Sequence, residues 1–317
     1  MTARAAATVV IVTKNRRDEL RASVRSAVIQ TALPNILVVD DGSNDGTSEM
    51  VRREFPNVSL VRFEQSRGYI VRRNQAASIA RTPIIVSIDD DAAFSTPNTV
   101  AQTLLEFDAS WIGAVAIPFV NVRADSIVRK RAPSRDRKWI TDAFVGTAYA
   151  VRREMFLSLG GFRESFFHQC EERELCTRML AAGFLTCLGS GDPVHHYESP
   201  RRSLQRIHVY SRRNDILYAW LNVPMPYLLI HIAGTVAKGV WYGIRVRRIP
   251  WMMQGVVSGF RACGEHWQQR SAVSSATYRL GRLLRARAAI PMEVLVQEGF
   301  VSPVGRTQPV AASHGCG

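Results

Sequence analysis

The sequence predicts an α/β protein with a mostly parallel sheet, because apolar runs and helical patterns alternate along its first 120 residues. Continuous apolar runs rich in β-branched residues, typical of strands buried on both faces, lie at 7–12, 35–41, 58–64 and 83–91. Segments with helical spacing lie between them, at 18–31, 42–55 and 72–80. Strands that alternate with helices in this way form a parallel sheet with helices on both faces.

The rest of the chain divides by composition. A further strand, a helix and a Gly-Gly turn are predicted over 143–162, and a helix over 170–183. We therefore expect one α/β domain over residues 1–200, followed by a basic, amphipathic helical region over 201–300. The last segment, 301–317, is rich in Gly, Pro, Ala and Ser and is predicted to be a disordered tail.

Positive charge is concentrated in the C-terminal region. The net charge is +14, and residues 201–317 hold 16 of the 41 lysines and arginines but only four of the 27 acids. Placed on a helix, the polar residues of segment 228–248 form one stripe: His231, Thr235, Lys238, Tyr242 and Arg245. This pattern favours a helix that lies in a membrane interface or packs on the rest of the protein, with a membrane-spanning helix as the third possibility.

The five cysteines are scattered and show no CxxC spacing, which argues against a disulfide framework and a zinc cluster and favours a reducing compartment. The start of the chain could pass for a weak signal peptide but lacks a convincing cleavage site. We therefore expect a cytoplasmic protein.

Polar residues follow three of the predicted strands at their carboxyl ends. Thr13-Lys14-Asn15 follows the first, Asp40-Asp41 the second and Asp89-Asp90-Asp91 the fourth. In parallel sheets these ends meet at one edge, where ligands bind. Carboxylate oxygens suit Mg2+ or Mn2+, which typically bridge the phosphates of a nucleotide. The alternative is that the acids only cap the next helix.

Six motifs, in this order and spacing, resemble those of glycosyltransferase family 2: VVIVTKNR, ILVVDDGSNDGT, GYIVRRNQA, VSIDDDA, GGF and CEERELCTR. The resemblance covers about residues 7–200. It implies a GT-A fold, which is Rossmann-like with a mostly parallel mixed sheet flanked by helices. It also implies transfer of a hexosyl or deoxyhexosyl group from a nucleotide-sugar donor, with inversion at the anomeric carbon.

The resemblance also implies residues that bind the nucleotide. Thr13 and Asn15 match the first-strand motif that lines it. Asp41 matches the acid that reads the base, with Asp40 beside it. Arg73 matches a basic residue that approaches the base or the phosphates.

The metal site follows from the resemblance in the same way. Asp89 and Asp91 match the DxD pair, and Asp91 is the expected direct ligand of Mn2+ or Mg2+, while Asp89 supports the ribose or the metal. Asp90 either assists or points away. His196 best matches a downstream histidine that completes the metal shell, with His195 as the alternative.

The catalytic base is expected in the pair Glu171-Glu172, at the place of the family's Glu-Asp motif. An inverting transfer needs a carboxylate that takes the proton of the acceptor hydroxyl, and a helix N-terminus helps to keep that carboxylate ionised. We favour Glu172. Glu in place of the usual Asp lengthens the side chain by one methylene, so the identity of the base stays open.

The leading hypothesis is a metal-assisted inverting glycosyltransferase of cell-envelope polysaccharide biosynthesis. It would act on a glycan or lipid-linked acceptor while bound peripherally to the inner face of the cell membrane, since basic amphipathic helices bind anionic lipid. One alternative is a catalytically impaired, nucleotide-sugar-binding membrane scaffold. A nucleic-acid-binding protein is disfavoured because no nucleic-acid-binding motif accompanies the basic residues. Arg212-Arg213-Asn214 resembles an Arg-Asn feature of bacterial members, without a clear role.

Overall fold

A computed structural model describes residues 5–198 and 203–301 of the chain. The strands, numbered β1–β13 in chain order, are Ala7–Thr13, Asn35–Asp40, Ser59–Arg62, Ile84–Asp89, Ala92–Phe94, Ile112–Ala116, Phe119–Asn121, Val128–Arg129, Trp139–Thr141, Ala148–Arg152, Leu185–Leu188, Val194–His196 and Ile290–Pro291. The helices, α1–α11, are Arg17–Val28, Thr47–Glu54, Tyr69–Ile79, Thr99–Leu105, Arg153–Ser158, Glu171–Ala181, Leu204–Asn222, Met225–Arg245, Ile249–Glu265, Ser275–Arg287 and Met292–Gln297.

Nine strands form the central sheet, in the order β13-β9-β11-β6-β10-β4-β1-β2-β3. Strands β3, β2, β1 and β4 are parallel, as the alternation of strands and helices predicts, whereas β10 runs antiparallel to both β4 and β6. Four strands form a smaller sheet, in the order β5-β12-β7-β8, and its strand β5 follows β4 directly in the chain. The α/β class with a mixed sheet is therefore confirmed.

The continuous apolar sequence of β1 reflects burial on both faces of the sheet. Val9 and Ile11 belong to one apolar core and Val10 to the other, because successive side chains of a strand point to opposite faces. All three are almost fully buried. Burial of one such side chain stabilises the fold by about 1.5–3 kcal/mol.

Two predicted elements differ at their ends. The helix predicted from residue 72 begins at Tyr69, directly after Gly68, whose φ of 90° is favourable for glycine and ends the preceding loop. The third strand covers Ser59–Arg62 and is shorter than the apolar run that predicts it. Local patterns set the type of an element better than its boundaries.

The C-terminal region returns to the central sheet. Ile290–Pro291 pairs with β9, and apolar residues of α10 and α11 join the core that contains Val9. Val301 is buried in that core, although the tail is predicted to begin there, and residues 302–317 lie outside the described residues. The domain boundary near residue 200 remains a prediction.

Helices α7, α8 and α9 form a layer of their own. Gly255 and Gly259 of α9 lie directly on α7: a Cβ at Gly255 would be 2.6 Å from the Val209 carbonyl oxygen, and one at Gly259 would be 3.0 Å from that of Arg213. Only glycine permits this close approach. None of the helices within 5–198 and 203–301 combines the length and apolar content that crossing a membrane requires.

Candidate functional site

The polar strand ends meet at one edge of the central sheet. Thr13 at the end of β1 is paired in register with Asp40 of β2, and Val12 with Asp89 of β4. These strands are adjacent, so the polar groups predicted from three separate motifs lie side by side. This is the edge at which parallel sheets bind ligands.

The run of three acids has a basic partner that the sequence analysis missed. Arg16 Nη1 lies 2.8 Å from Asp90 Oδ1 and 3.0 Å from Asp91 Oδ2. Burial raises the pKa of Asp90 to about 7, with Arg16 acting against the shift and Asp91 and Asp89 adding to it. Asp90 therefore pairs with the β1–α1 loop. Its partner follows directly on the Asn15 motif, which was the available signal.

Asp89, Asp91 and His196 form a group that fits a divalent cation. One ligand atom of each lies within 4.8 Å of the others, with His196 Nε2 3.3 Å from Asp91 Oδ1. His196 Nδ1 is 2.8 Å from Asn121 Oδ1, which assigns its proton to Nδ1 and directs the lone pair of Nε2 toward the carboxylates. Two carboxylates and one imidazole are donors that suit Mn2+ or Mg2+. His195 is not part of this group.

Asp40 and Asp41 are both satisfied by neighbouring loops. Asp40 is fully buried and accepts a hydrogen bond from the Ser43 amide at 2.8 Å, which shapes the turn into α2. Asp41 accepts from the Gly68 amide at 2.9 Å and from Arg72 Nε at 2.6 Å. Burial alone would raise the pKa of Asp41. Hydrogen bonds from the Ser66 hydroxyl, the Arg67 and Gly68 amides and the Arg72 side chain hold it below its ordinary value. Its contact with a base remains a prediction.

Thr13 and Asn15 line the same edge. Thr13 is buried at the end of β1. Asn15 has a φ of 53°, a left-handed conformation that asparagine adopts more readily than most residues. Its amide donates to Ser43 Oγ at 2.9 Å, and its side-chain oxygen accepts from the Asn44 amide at 2.8 Å. Asn15 thereby joins the β1–α1 loop to the β2–α2 loop.

Arg73 links the acid group to the glutamate pair. It is buried, and its Nη2 donates to Asp89 Oδ1 at 2.7 Å and to the Gly146 carbonyl at 2.8 Å. Its Nη1 lies 4.0 Å from Glu171 Oε1. In this structure Arg73 therefore bridges the two sets of acids, and a contact with the nucleotide remains a prediction.

The glutamate pair begins helix α6, whose N-terminus favours negative charge. Glu172 Oε1 accepts a hydrogen bond from the Gly146 amide at 2.9 Å. A Cβ at position 146 would lie 2.5 Å from that oxygen and 2.9 Å from Arg73 Nη1, so the contact requires glycine. Glu171 is buried beside Arg73 and the Tyr69 side chain, both of which act against the rise of its pKa on burial.

The two glutamates differ in how their charge is stabilised. Burial, with the charge of Glu172 adding to it, raises the pKa of Glu171 to about 8, although Arg73 acts against the shift. Burial also raises the pKa of Glu172, but the Gly146 amide and Arg73 act against it. Two acids this close titrate as a pair. Burial therefore makes the pair hold a proton more readily than two exposed glutamates would.

The Glu171→Gln variant is expected to gain stability relative to the wild type as pH rises. The pKa of Glu171 lies above its unfolded value of 4.5, so the neutral carboxyl favours the folded state below that value and this contribution is lost as pH rises toward 8. Glutamine does not titrate. The melting temperature of the variant minus that of the wild type should increase between pH 5 and pH 8.5. The expected increase is a few degrees, which corresponds to a change of about 1 kcal/mol in the free energy of unfolding.

The matched control is Glu154→Gln, which removes an exposed carboxylate from α5. Its melting temperature should follow that of the wild type over the same pH range. If the difference for Glu171→Gln is flat with pH, or if the control shows the same slope, the raised pKa assigned to Glu171 is wrong.

A cavity of about 710 Å³ opens beside the acid group. Its walls include Arg16 and Arg17 at the start of α1, Asp91, and Arg123 and Tyr197 on the opposite side. This volume is typical of a site for a small ligand. The lining carries both signs of charge, with three arginines and four acids, Asp18, Glu19, Asp45 and Asp91.

The fold is the GT-A fold, which solved glycosyltransferases share. The structure resembles the mannosyltransferase PcManGT from Pyrobaculum calidifontis, solved with GDP-Man and Mn2+, with a TM-score of 0.60, 20% identity, and coverage of 82% of this chain and 88% of that one. It also resembles residues 1–349 of S. aureus TarS, solved with UDP, with a TM-score of 0.60, 15% identity, and coverage of 89% and 87%. At these identities the likeness shows the fold.

The sequence comparison names the family. Residues 8–160, just under half of the chain, match Glycosyl transferase family 2. The succinoglycan biosynthesis protein ExoU of Rhizobium meliloti is 34% identical over 196 residues, which cover 55% of this chain and 57% of ExoU. An N-acetylglucosaminyl-diphospho-decaprenol L-rhamnosyltransferase of Mycobacterium tuberculosis is 25% identical over 233 residues, covering 59% of this chain and 75% of that protein. The chain thus spans little more than half the length of ExoU.

Proposed function

We propose that the protein transfers a sugar from a nucleoside-diphosphate sugar to a hydroxyl group of a glycan or lipid-linked acceptor, with inversion and with the help of a divalent cation. One observation carries the proposal: the group Asp89, Asp91 and His196 and the pair Glu171-Glu172 lie on either side of a single buried arginine, Arg73. A metal-ligating group and a carboxylate base are the two parts that such a transfer requires.

The proposed mechanism divides the work between these groups. A divalent cation bound by Asp89, Asp91 and His196 would neutralise charge on the departing diphosphate. Glu172 takes the proton of the acceptor hydroxyl as that oxygen attacks the anomeric carbon from the face opposite the diphosphate. The Gly146 amide holds one oxygen of this carboxylate in place.

Glu172 is preferred over Glu171 as the base for a physical reason. Glu172 accepts a hydrogen bond from the Gly146 amide, which stabilises its anion and fixes the direction of its carboxylate. Burial raises the pKa of both coupled glutamates, and that of Glu171 to about 8.

The first test is a screen of UDP-, GDP- and dTDP-sugars with and without Mn2+. A donor that binds the folded protein should raise the melting temperature by mass action, and more so with the metal. That donor is then incubated with the protein, and release of the nucleoside diphosphate is measured. Binding without turnover under all conditions would favour the impaired scaffold, and the absence of any metal-dependent binding would reject the proposal.

The names of the relatives support the acceptor class. One belongs to succinoglycan biosynthesis, and another is named for a sugar-diphospho-decaprenol, which is a lipid-linked substrate. A polysaccharide or lipid-linked acceptor of the cell envelope is therefore the class that we propose here, without a choice of sugar or nucleotide base.

The membrane part of the proposal is supported by the outer face of α8 and α9. We call this face the hairpin surface. Its large apolar side chains are at least 40% exposed: Met225, Leu229, Ile230, Trp241, Ile244, Ile249, Met253, Val257 and Phe260. So many exposed apolar side chains on one helix pair indicate an interaction site.

The charges around the hairpin surface indicate a lipid partner. Lys238, Arg245, Arg247 and Arg261 are exposed on the same two helices or in the turn between them, and the Arg245 guanidinium lies 5.6 Å from the centre of the Trp241 ring. Basic residues beside exposed aromatic and aliphatic side chains suit the anionic head-group region of a bilayer. We therefore propose peripheral association with the inner face of the cell membrane through this surface.

Part of the predicted polar stripe faces inward. His231 Nδ1 lies 2.8 Å from the Tyr278 hydroxyl, and Arg212 of α7 donates to the Thr235 carbonyl at 3.4 Å. Lys238, Tyr242 and Arg245 of the same stripe are exposed, so the segment packs on the protein at its His231 end and keeps both basic and apolar side chains outward.

The double variant Ile230→Glu/Trp241→Glu is expected to lose most of its binding to anionic vesicles. These side chains are 75% and 62% exposed, and each would otherwise bury apolar area worth about 1.5–3 kcal/mol. Flotation with vesicles containing phosphatidylglycerol should show at least a tenfold fall in the bound fraction. The matched control is Leu105→Glu, a leucine on α4 that is 77% exposed.

The control should float like the wild type. Equal binding by the double variant, or an equal loss in the control, would contradict the assignment to the hairpin surface. A wild-type protein that ignores the vesicles would reject membrane association itself, and leave the proposed sugar transfer untouched.

A further inference from the structure

The loop in front of the glutamate pair has an unusual backbone. Phe167, Gln169 and Cys170 have φ values of 56°, 68° and 73°, a left-handed region that side chains other than glycine rarely adopt. Each such residue costs on the order of 1 kcal/mol or more unless its surroundings enforce it. Cys170 immediately precedes α6, so this loop sets where Glu171 and Glu172 point.

Asn214 of α7 stabilises this loop conformation through its side-chain amide. Its Nδ2 lies 2.8, 2.7 and 2.8 Å from the carbonyl oxygens of Phe166, His168 and Gln169, which share its two hydrogens. The asparagine is fully buried, so water does not replace these contacts. Buried carbonyls need a donor, and the left-handed turn denies these three the regular partners of a helix.

Arg213 fixes the amide of Asn214. Its Nη1 donates to Asn214 Oδ1 at 2.7 Å, which assigns the oxygen to that side and leaves the NH2 group facing the loop. The same Nη1 donates to the Ser165 carbonyl at 2.8 Å. One arginine thus orients the asparagine and holds the start of the loop.

Two further contacts fasten the ends of this arrangement. The Gln169 amide donates to the Tyr69 hydroxyl of α3 at 3.0 Å. Arg173, in the first turn of α6, pairs with Asp215 of α7 at 2.9 Å. The residues next to Asn214 in sequence therefore bind the loop on one side and the helix of the glutamates on the other.

We propose that Asn214 is a positioning residue for the acceptor-side base: it holds the 166–169 carbonyls so that Glu172 is presented to the acceptor hydroxyl. The proposal rests on the proposed sugar transfer. It also gives a role to the Arg-Asn sequence on α7, whose hydrogen bonds reach the loop in front of the glutamates.

The discriminating variant is Asn214→Asp, which keeps the shape but replaces the NH2 donor with an oxygen facing three carbonyl oxygens. The matched control is Asn222→Asp, on the same helix and equally buried, where Nδ2 contacts only the Tyr218 carbonyl at 3.2 Å. Both variants disturb the packing of α7, and only the first releases the loop.

The probe is the nucleotide sugar that the wild type turns over in the screen above. For Asn214→Asp we expect kcat to fall by about a hundredfold, the loss that a displacement of about 1 Å can cause, with the KM for the donor and its Mn2+-dependent binding within twofold of the wild type. Amide hydrogen exchange of residues 166–170 should accelerate in this variant. For Asn222→Asp, kcat and exchange of the loop should stay within threefold, whatever its melting temperature.

The proposal is overturned if Asn214→Asp keeps its kcat, or if it loses donor binding in parallel with kcat, because either result leaves only a general structural role. If this variant does not fold, Arg213→Gln replaces it. That change removes the group that orients the amide, and a kcat at least tenfold lower with unchanged KM supports the proposal, while an unchanged kcat overturns it. A wild-type protein without turnover rejects the sugar transfer. Amide hydrogen exchange of residues 166–170 then still tests whether Asn214 holds the loop.

Discussion

Replacing Asp91 with asparagine is expected to lower the rate of sugar transfer by about a thousandfold or more. Loss of a residue that only supports a metal ligand typically costs 10- to 100-fold, so loss of a direct ligand should cost more. Asp91 is buried, lies 3.3 Å from His196 Nε2, and belongs to the group that fits a divalent cation. The measurements are the release of nucleoside diphosphate and the Mn2+ concentration at half-maximal rate.

The Asp91→Asn protein should remain folded, because the substitution conserves shape. It should also bind the nucleotide as weakly with Mn2+ as without it. A suitable control is Asp125→Asn, whose carboxylate lies in an exposed loop and pairs with Arg129 at 2.5 Å. Full activity in Asp91→Asn, or equal losses in both variants, would remove Asp91 from the metal site.

The second large effect is expected for Glu172→Gln. General base catalysis contributes about 10²- to 10⁴-fold, and glutamine keeps the length of the side chain but cannot accept the proton. The variant should therefore lose kcat by about a thousandfold while its affinity for the nucleotide with Mn2+ is unchanged. Initial rates at saturating donor and a parallel nucleotide titration separate the two quantities.

Glu171→Gln is the informative companion. If Glu172 is the base, Glu171→Gln retains at least a tenth of the activity, since the substitution leaves the Gly146 contact that orients Glu172 in place. The reverse pattern, with Glu171→Gln inactive and Glu172→Gln active, would exchange the roles of the two glutamates.

Much of the sheet follows directly from the sequence. The runs at 7–12, 35–41 and 83–91 are continuous and apolar because β1, β2 and β4 are central strands with a core on each face. Their polar ends then had to share one edge. The family resemblance is confirmed for residues 8–160, and it supplied the roles that spacing alone does not give.

Other features depend on contacts between distant segments, which local patterns do not specify. Arg16 pairs with Asp90 across 74 residues, and β13 joins the sheet from position 290. The orientation of α8 was also open, because an amphipathic sequence tells which residues share a face and leaves unknown which face the protein covers. The role proposed for Asn214 can be recognised only in the structure, because it depends on where the carbonyl groups of the left-handed loop lie.

Helix α7 gives the molecule a fixed geometry between two of its surfaces. On one side it holds the loop of the glutamates through Asn214, and on the other it carries α9 at the contact distances that Gly255 and Gly259 permit. With the hairpin surface on lipid, the carboxylate of Glu172 would stand at a set height above the bilayer. Glu172 would then reach only hydroxyls that a lipid-linked acceptor presents at that distance from the membrane. An acceptor one sugar longer or shorter would react poorly because its hydroxyl would lie at another distance.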